Sequence, residues 1–249
     1  MLVDATPSLA SPLPPLPAPP PPASIAIAGH GERFFVGRVF CLGRNYGWDG
    51  TPDVRGATPL YFMKPANAVM DARGEVPFPP ATSEFCHEVE LVVAIGRGGF
   101  RIPVATALEH VWGYAVGLDM TRRDLQARAK AEGQSWEAAK GFDGAAPIGP
   151  LFPVAQCGHP IQGAIWLAVN GEERQRADLG ELIWSVAEAI SLLSGYLPLQ
   201  PGDLLMTGTP PGVAPLAAGD VITAGIAGLG RLDLAVGHPP QPWNPGEQQ

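Results

Sequence analysis

The residues His87-Glu88-Val89-Glu90-Leu91 place two carboxylates at i and i+2, directly ahead of the apolar run Leu91-Val92-Val93-Ala94-Ile95 and Gly96. A β-branched run bounded by glycine predicts a buried strand. In a strand, i and i+2 share a face, so Glu88 and Glu90 are expected side by side at the edge of a core. Carboxylates that close repel one another, and one pKa rises unless positive charge offsets the pair. Oxygen donors without a thiolate suit a hard divalent ion: Mg²⁺, Mn²⁺ or Ca²⁺. Taken alone, Glu-x-Glu is a weak motif, more often two acids on a solvated strand face than a metal site.

The elements that must position these acids belong to a chain of 249 residues with net charge −8. No Lys/Arg cluster breaks that balance, which argues against a nucleic-acid partner. An anionic small molecule would need local cations. Cys41, Cys86 and Cys157 are odd in number and lack metal-like spacing, so they read as free thiols of a reducing compartment. No Lys or Arg precedes Arg33, which does not support a basic secretory n-region, and no apolar run reaches the length of a membrane span. The expectation is a cytoplasmic protein with no membrane partner.

Residues 1–23 are rich in Pro, Ala and Ser and are expected to form a polyproline-like or mobile tail. A single domain is expected over 24–238, and a second Pro-rich tail, with Trp243 as an anchor, over 239–249. Strands are expected at 24–28, 34–42, 60–63, 88–95, 112–118, 165–169, 204–206, 220–224 and 231–236. The segment 47–58 reads as a loop or lid. Pro103 opens a short helical segment. Asp119 ends a strand, a common place for a ligand or a catalytic acid. The following segment, 121–131, is rich in helix formers, and Arg123 and Gln126 share one of its faces. Asn170-Gly171 predicts a hairpin. Asp178 with Glu181 resembles a capping box, predicting an amphipathic helix that carries Leu182, Ile183, Val186, Ile190 and Leu193 and stops at Gly195.

Six segments occur in one order: Gly43-Arg44-Asn45-Tyr46, Phe62-Met63-Lys64-Pro65, His87 to Leu91, Gly117-Leu118-Asp119-Met120-Thr121, Lys140-Gly141-Phe142-Asp143 and Thr207-Gly208-Thr209-Pro210. Together they resemble the fumarylacetoacetate hydrolase family, from about Val39 to Val236. Within it, the block Trp112 to Leu125 and the pair Trp136-Glu137 are most similar to the fumarylpyruvate hydrolases of gentisate-type aromatic degradation. The resemblance implies a mixed, mostly β fold: a fumarylacetoacetase C-terminal-like rolled β-sandwich with a few short helices, usually a homodimer. It implies a divalent metal, Mg²⁺ foremost, held by Glu88, Glu90 and Asp119. It further implies a small 2-oxo acid substrate chelating that metal, Lys140 as the active-site lysine, and substrate contacts from Arg123, Gln126, Gly208 and Thr209. Tyr46 and Lys64 are expected near the site in mainly structural roles.

Hydrolase members carry a His and, three residues later, a Glu in the lid after Gly-Arg-Asn-Tyr. Here those positions fall on Asp49 and Pro52. Three readings follow: an acylpyruvate hydrolase with Asp49 or another carboxylate as base, where an Asp would need a raised pKa; a metal-dependent decarboxylase or isomerase of a 2-oxo acid; or a metal-binding protein without catalysis.

Overall fold

The structure, a computed structural model, describes residues 17–18, 20–47 and 58–241. The expectations placed on Asp49, Pro52 and Trp243, and on most of the N-terminal segment, lie outside the described residues. Two sheets dominate. The larger has eight strands, ordered Leu60–Lys64, Val39–Gly43, Leu204–Met206, Val89–Ile95, Val111–Leu118, Ala146–Ile148, Val69–Asp71, with Phe152–Pro153 also paired to Val111–Leu118. The smaller has five: Glu172–Asp178, Ala164–Val169, Val221–Ile226, Arg231–Val236 and Gly74–Val76. Both mix parallel and antiparallel pairs. Among the described residues no helix is long and apolar enough to cross a membrane.

The strand Val89–Ile95 is buried along its whole length, which explains why it reads as a continuous apolar run after Glu90. Its two faces enter different cores. Val89, Leu91, Val93 and Ile95 join a cluster with Ile165, Leu167, Ile222 and Ala224 of the smaller sheet. Val92 and Ala94 join a second cluster with Cys41, Ala115, Ile148 and Met206. The two-residue period therefore puts Glu88 and Glu90 on the second face, and His87 on the first.

The hairpin at Asn170-Gly171 forms between Ala164–Val169 and Glu172–Asp178, with both turn residues at positive φ (52° and 82°). That geometry is the one an Asn-Gly pair favours. The helix at 121–131 is Arg123–Glu132.

Two expectations are corrected. The single strand over 34–42 is two, Arg33–Phe35 and Val39–Gly43, because Gly37 turns the chain through a bond to Gly202 O. The capping box of Asp178 and Glu181 exists, but it caps only the single turn Leu179–Glu181. The long helix opens later, at Ser185, under a second capping box with Glu188, and runs Val186–Tyr196 through Gly195. Leu182 and Ile183 lie outside it because Asn45 captures this segment. Ile183 N donates to Asn45 O, and Trp184 N donates to Asn45 Oδ1. The helix ends because Leu197 precedes Pro198 and is forced into extended geometry.

Candidate functional site

Glu88, Glu90 and Asp119 converge: one oxygen from each lies within 4.8 Å of the others, and all are buried. Strand pairing brings them together. Glu90 stands opposite Gly117, Val89 opposite Leu118, and Asp119 N donates to Glu88 O at 2.8 Å. The ladder continues past the acids, since Phe85–Cys86 pairs with Thr121–Arg122. The carboxylates are thus held on a rigid backbone frame.

Three cations meet them. Lys140 Nζ lies 2.6 Å from Asp119 Oδ2 and 2.8 Å from Glu88 Oε2, and also donates to Thr121 Oγ1 at 2.6 Å. Arg123 Nη1 donates to Glu88 Oε1 at 3.1 Å and to Gln126 Oε1 at 2.8 Å. Lys64 Nζ sits 2.8 Å from Asp119 Oδ1 and donates to the carbonyls of Met120 and Lys140. That last ion pair lacks hydrogen-bond alignment, and Asp119 Oδ1 accepts no hydrogen bond.

These surroundings split the three acids. Burial pushes Asp119 up, but the ammonium groups of Lys140 and Lys64 outweigh it and hold the acid below the usual carboxylate range. Burial raises Glu88 despite Lys140 and Arg123. Burial, then the charges of Asp119 and Glu88, push Glu90 well up, with only the Gly208 amide and Lys140 opposing. Burial opposes the charge on Lys140, but Asp119 and Glu88 more than restore it and raise its pKa. The donor set could hold a hard divalent cation. Its ligands are all oxygen, one from each acid lies within 4.8 Å of the others, Asp119 Oδ1 accepts no hydrogen bond, and a bound cation would offset the charges of Asp119 and Glu88 that help push Glu90 up.

The Thr207-Gly208-Thr209 segment closes the cluster from the other side. Gly208 N donates to Glu90 Oε2 at 2.8 Å, so this amide faces a carboxylate of the cluster. Gly208 has φ +98°, and a Cβ there would come within 2.8 Å of Asn45 Cβ, so only glycine fits without strain. Thr209 Oγ1 accepts from Gln175 Nε2 at 2.8 Å. Gln175 is a residue that sequence reasoning missed. It is buried on the smaller sheet; its Nε2 also donates to Pro210 O, and its Oε1 accepts from Val89 N and lies 2.9 Å from His87 Nδ1. One amide thus ties the acidic strand to the Thr209 loop. Its only sequence signal is a Gln in the midst of a strand whose other polar residues are charged.

A cavity of about 240 Å³ opens onto the cluster, lined by Glu88, Glu90, Asp119, Lys140, Arg123, Gln126 and Thr209 together with Arg44, Tyr46, Phe62, Lys130 and Trp136. Of the candidates named from sequence within the described residues, Glu88, Glu90, Asp119, Lys140, Arg123, Gln126, Thr209 and Tyr46 line it; Gly208 and Lys64 do not, Gly208 donating to Glu90 and Lys64 pairing with Asp119.

The family model described as fumarylacetoacetate (FAA) hydrolase C-terminal matches residues 38–236. A fumarylpyruvate hydrolase from a Ralstonia species is 44% identical over 178 residues, covering 72% of this chain and 92% of the relative. A mitochondrial oxaloacetate tautomerase from Arabidopsis thaliana is 38% identical over 201 residues, covering 80% of this chain and 90% of the relative. Among solved structures, fumarylpyruvate hydrolase from Pseudomonas aeruginosa in complex with Mn²⁺ and pyruvate superposes with a TM-score of 0.87 at 48% identity, covering 90% of this chain and all of that one.

Proposed function

We propose, from the premise that this chain belongs to the fumarylacetoacetate hydrolase family, that it is a divalent-metal-dependent hydrolase of acylpyruvates. Its substrate is fumarylpyruvate or a near relative, and its products are pyruvate and a carboxylic acid. The observation that carries this reading is the buried cluster in which three carboxylates face three cations. With all six groups ionised the cluster is neutral. A bound divalent ion adds two positive charges, which a 2-oxo carboxylate together with an enolised dione would balance.

Glu88, Glu90 and Asp119 are the residues to hold that ion, Mg²⁺ or Mn²⁺ with Ca²⁺ as the further option. When bound, it supplies Lewis acidity toward a 2-oxo acid. Lys140 fixes the orientation of Glu88 and Asp119 and keeps a permanent positive charge beside them, where negative charge develops as the C–C bond breaks. Arg123 spends Nη1 on Glu88 and Gln126. Among the described residues its other guanidinium nitrogens carry no hydrogen bond, which leaves them for a substrate carboxylate. Thr209 accepts from Gln175, so its own hydrogen is available to donate. Hydrolysis adds water to the acyl carbonyl carbon; the bond to the methylene of the pyruvyl unit then breaks, and its electron pair leaves as the enolate, which is protonated on carbon. Asp49 is assigned the base that takes the water proton. The same premise carries the assignments to gentisate-type aromatic degradation, to the cytoplasm and to a homodimer built on residues 24–238.

A second reading is a metal-dependent decarboxylase or isomerase of a 2-oxo acid. It is favoured by Asp49 and Pro52 in place of His and Glu, and by the tautomerase relative. The purified full-length protein, loaded with Mg²⁺ or Mn²⁺, is assayed on fumarylpyruvate and on oxaloacetate. Fumarate and pyruvate from the first substrate support hydrolysis. Enol–keto conversion of oxaloacetate, or pyruvate and CO₂ from it, without fumarylpyruvate cleavage would favour the second reading. Metal binding with neither turnover would leave a binding protein.

A further inference from the structure

Two cations on the cavity wall have no part in the chemistry above. Arg44 and Lys130 line the same cavity as the carboxylate cluster. Among the described residues neither is paired with a carboxylate. Several other arginines find acids, Arg33 with Asp71, Arg38 with Asp203, Arg174 with Glu172 and Arg231 with Asp233; Arg73, Arg101 and Arg128 share the lack of one, but none of these lines the cavity as Arg44 and Lys130 do. In a chain of net charge −8, two cations left without acids on one wall call for an anion from outside.

The side chain of Lys130 and the backbone of Arg44 are both held in place. Lys130 Nζ lies 4.9 Å from the centre of the Trp136 ring, which also lines the cavity; a cation on an aromatic face keeps its N–H groups free for an anion. Arg44 has φ 60°, a left-handed conformation that non-glycine residues seldom adopt. The next residue fixes it there: Asn45 Nδ2 donates to Trp184 O and Thr207 O, and Asn45 Oδ1 accepts from Trp184 N. Burial, then the charges of Arg123 and Arg44, hold the Lys130 ammonium below its usual pKa, so a bound anion would relieve it. Between these cations and the acidic cluster, Phe62 packs against Trp136 at 5.5 Å and offers apolar surface to a carbon chain.

We propose that Arg44 and Lys130 receive the distal carboxylate of a dicarboxylic substrate, so that the enzyme selects acyl groups ending in a second carboxylate. This rests on the reading above insofar as the 2-oxo end is placed at Glu88, Glu90 and Asp119. Lys130 also stands in the last turn of its helix, where any lysine favours the helix dipole. That role predicts no discrimination between ligands.

The test is calorimetric binding to the Mn²⁺-loaded full-length protein, using two acids that differ only at the far end: 2-oxoheptanedioate and 2-oxoheptanoate. The wild type is expected to prefer the diacid by about tenfold or more, the worth of one charge-assisted contact. The preference should shrink toward unity in Lys130→Gln and in Arg44→Gln and persist in Lys130→Arg. A wild-type ratio near one, or a ratio that neither glutamine variant moves, overturns the inference, as does binding of neither acid. Fumarylpyruvate turnover, measured separately, keeps the two claims apart. A diacid preference without turnover leaves this site standing and removes the hydrolase reading; turnover with a ratio the variants leave untouched does the reverse.

Discussion

Lys64 Nζ lies 2.8 Å from Asp119 Oδ1, and both side chains are almost wholly shielded from water, at 0% and 1% exposure. Lys64 comes from the edge strand of the large sheet, and its ammonium is also held by the carbonyls of Met120 and Lys140. It therefore clamps the end of one strand to Met120 and to the end of the short helix Glu137–Lys140 that presents the lysine of the site. Removing one partner of a buried pair leaves the other charge uncompensated, which costs about 3–5 kcal/mol. Lys64→Met is expected to lose stability of that order in urea unfolding. A loss below about 1 kcal/mol, the range of exposed pairs, would show that Asp119 does not need this partner.

Glu88→Gln should abolish tight Mn²⁺ binding. A ligand at one hundred times its dissociation constant stabilises the folded state by about 2.7 kcal/mol, so the wild type should melt higher with Mn²⁺ than with chelator. The variant should show no such difference. A retained upward shift would exclude Glu88 as a ligand.

The pH dependence follows from Glu90, whose folded pKa stands well above 4.5 because of burial and the charges of Asp119 and Glu88. A raised carboxyl pKa means that the folded state binds more protons. Its contribution is complete below the unfolded pKa and is lost as pH rises through the folded value. Metal-free protein should therefore lose stability from this group as pH climbs above about 4.5. Loading should release a proton, and Mn²⁺ affinity should rise with pH. Melting curves with chelator and with Mn²⁺, recorded from acid to neutral pH, should diverge. Parallel curves would exclude a protonated Glu90.

Asp49→Asn tests the base. A general base contributes about 10²–10⁴-fold, so kcat on fumarylpyruvate should fall within that range while Mn²⁺ binding persists. Unchanged turnover would remove Asp49 from the mechanism.

Gln175→Leu should break the four contacts that join His87, Val89, Thr209 and Pro210. Leaving buried donors and acceptors unmatched costs about 1–3 kcal/mol each, so a stability loss of about 2–4 kcal/mol is expected. Because Thr209 loses its orienting donor, KM should rise more than kcat falls. Equal changes in both would make the role merely structural. Gln175→Glu, which keeps the acceptor but loses the donors to Thr209 and Pro210, should share the kinetic defect.

The sequence by itself determined what depends on short spacing. Glu88 and Glu90 share a face because a strand repeats every two residues, and the Asn-Gly hairpin follows from two residues that tolerate positive φ. The ordered segments around Arg44, Lys64, Asp119, Lys140 and Gly208 carried the family and hence the mostly β fold. Even the true start of the long helix was written locally, in the box of Ser185 and Glu188, although the earlier box at Asp178 obscured it. Only the tertiary structure decided that Asn45 halts the chain at Ile183, that Gln175 reaches Val89 across 86 residues, and that Lys64 faces Asp119. It also decided that the Gly208 amide meets Glu90, and that Arg44 and Lys130 share a wall. Those facts depend on which strands pair and which sheet faces meet. Local propensity carries no record of them, because a buried polar group takes its partner from whatever distant segment packing brings within about 3 Å.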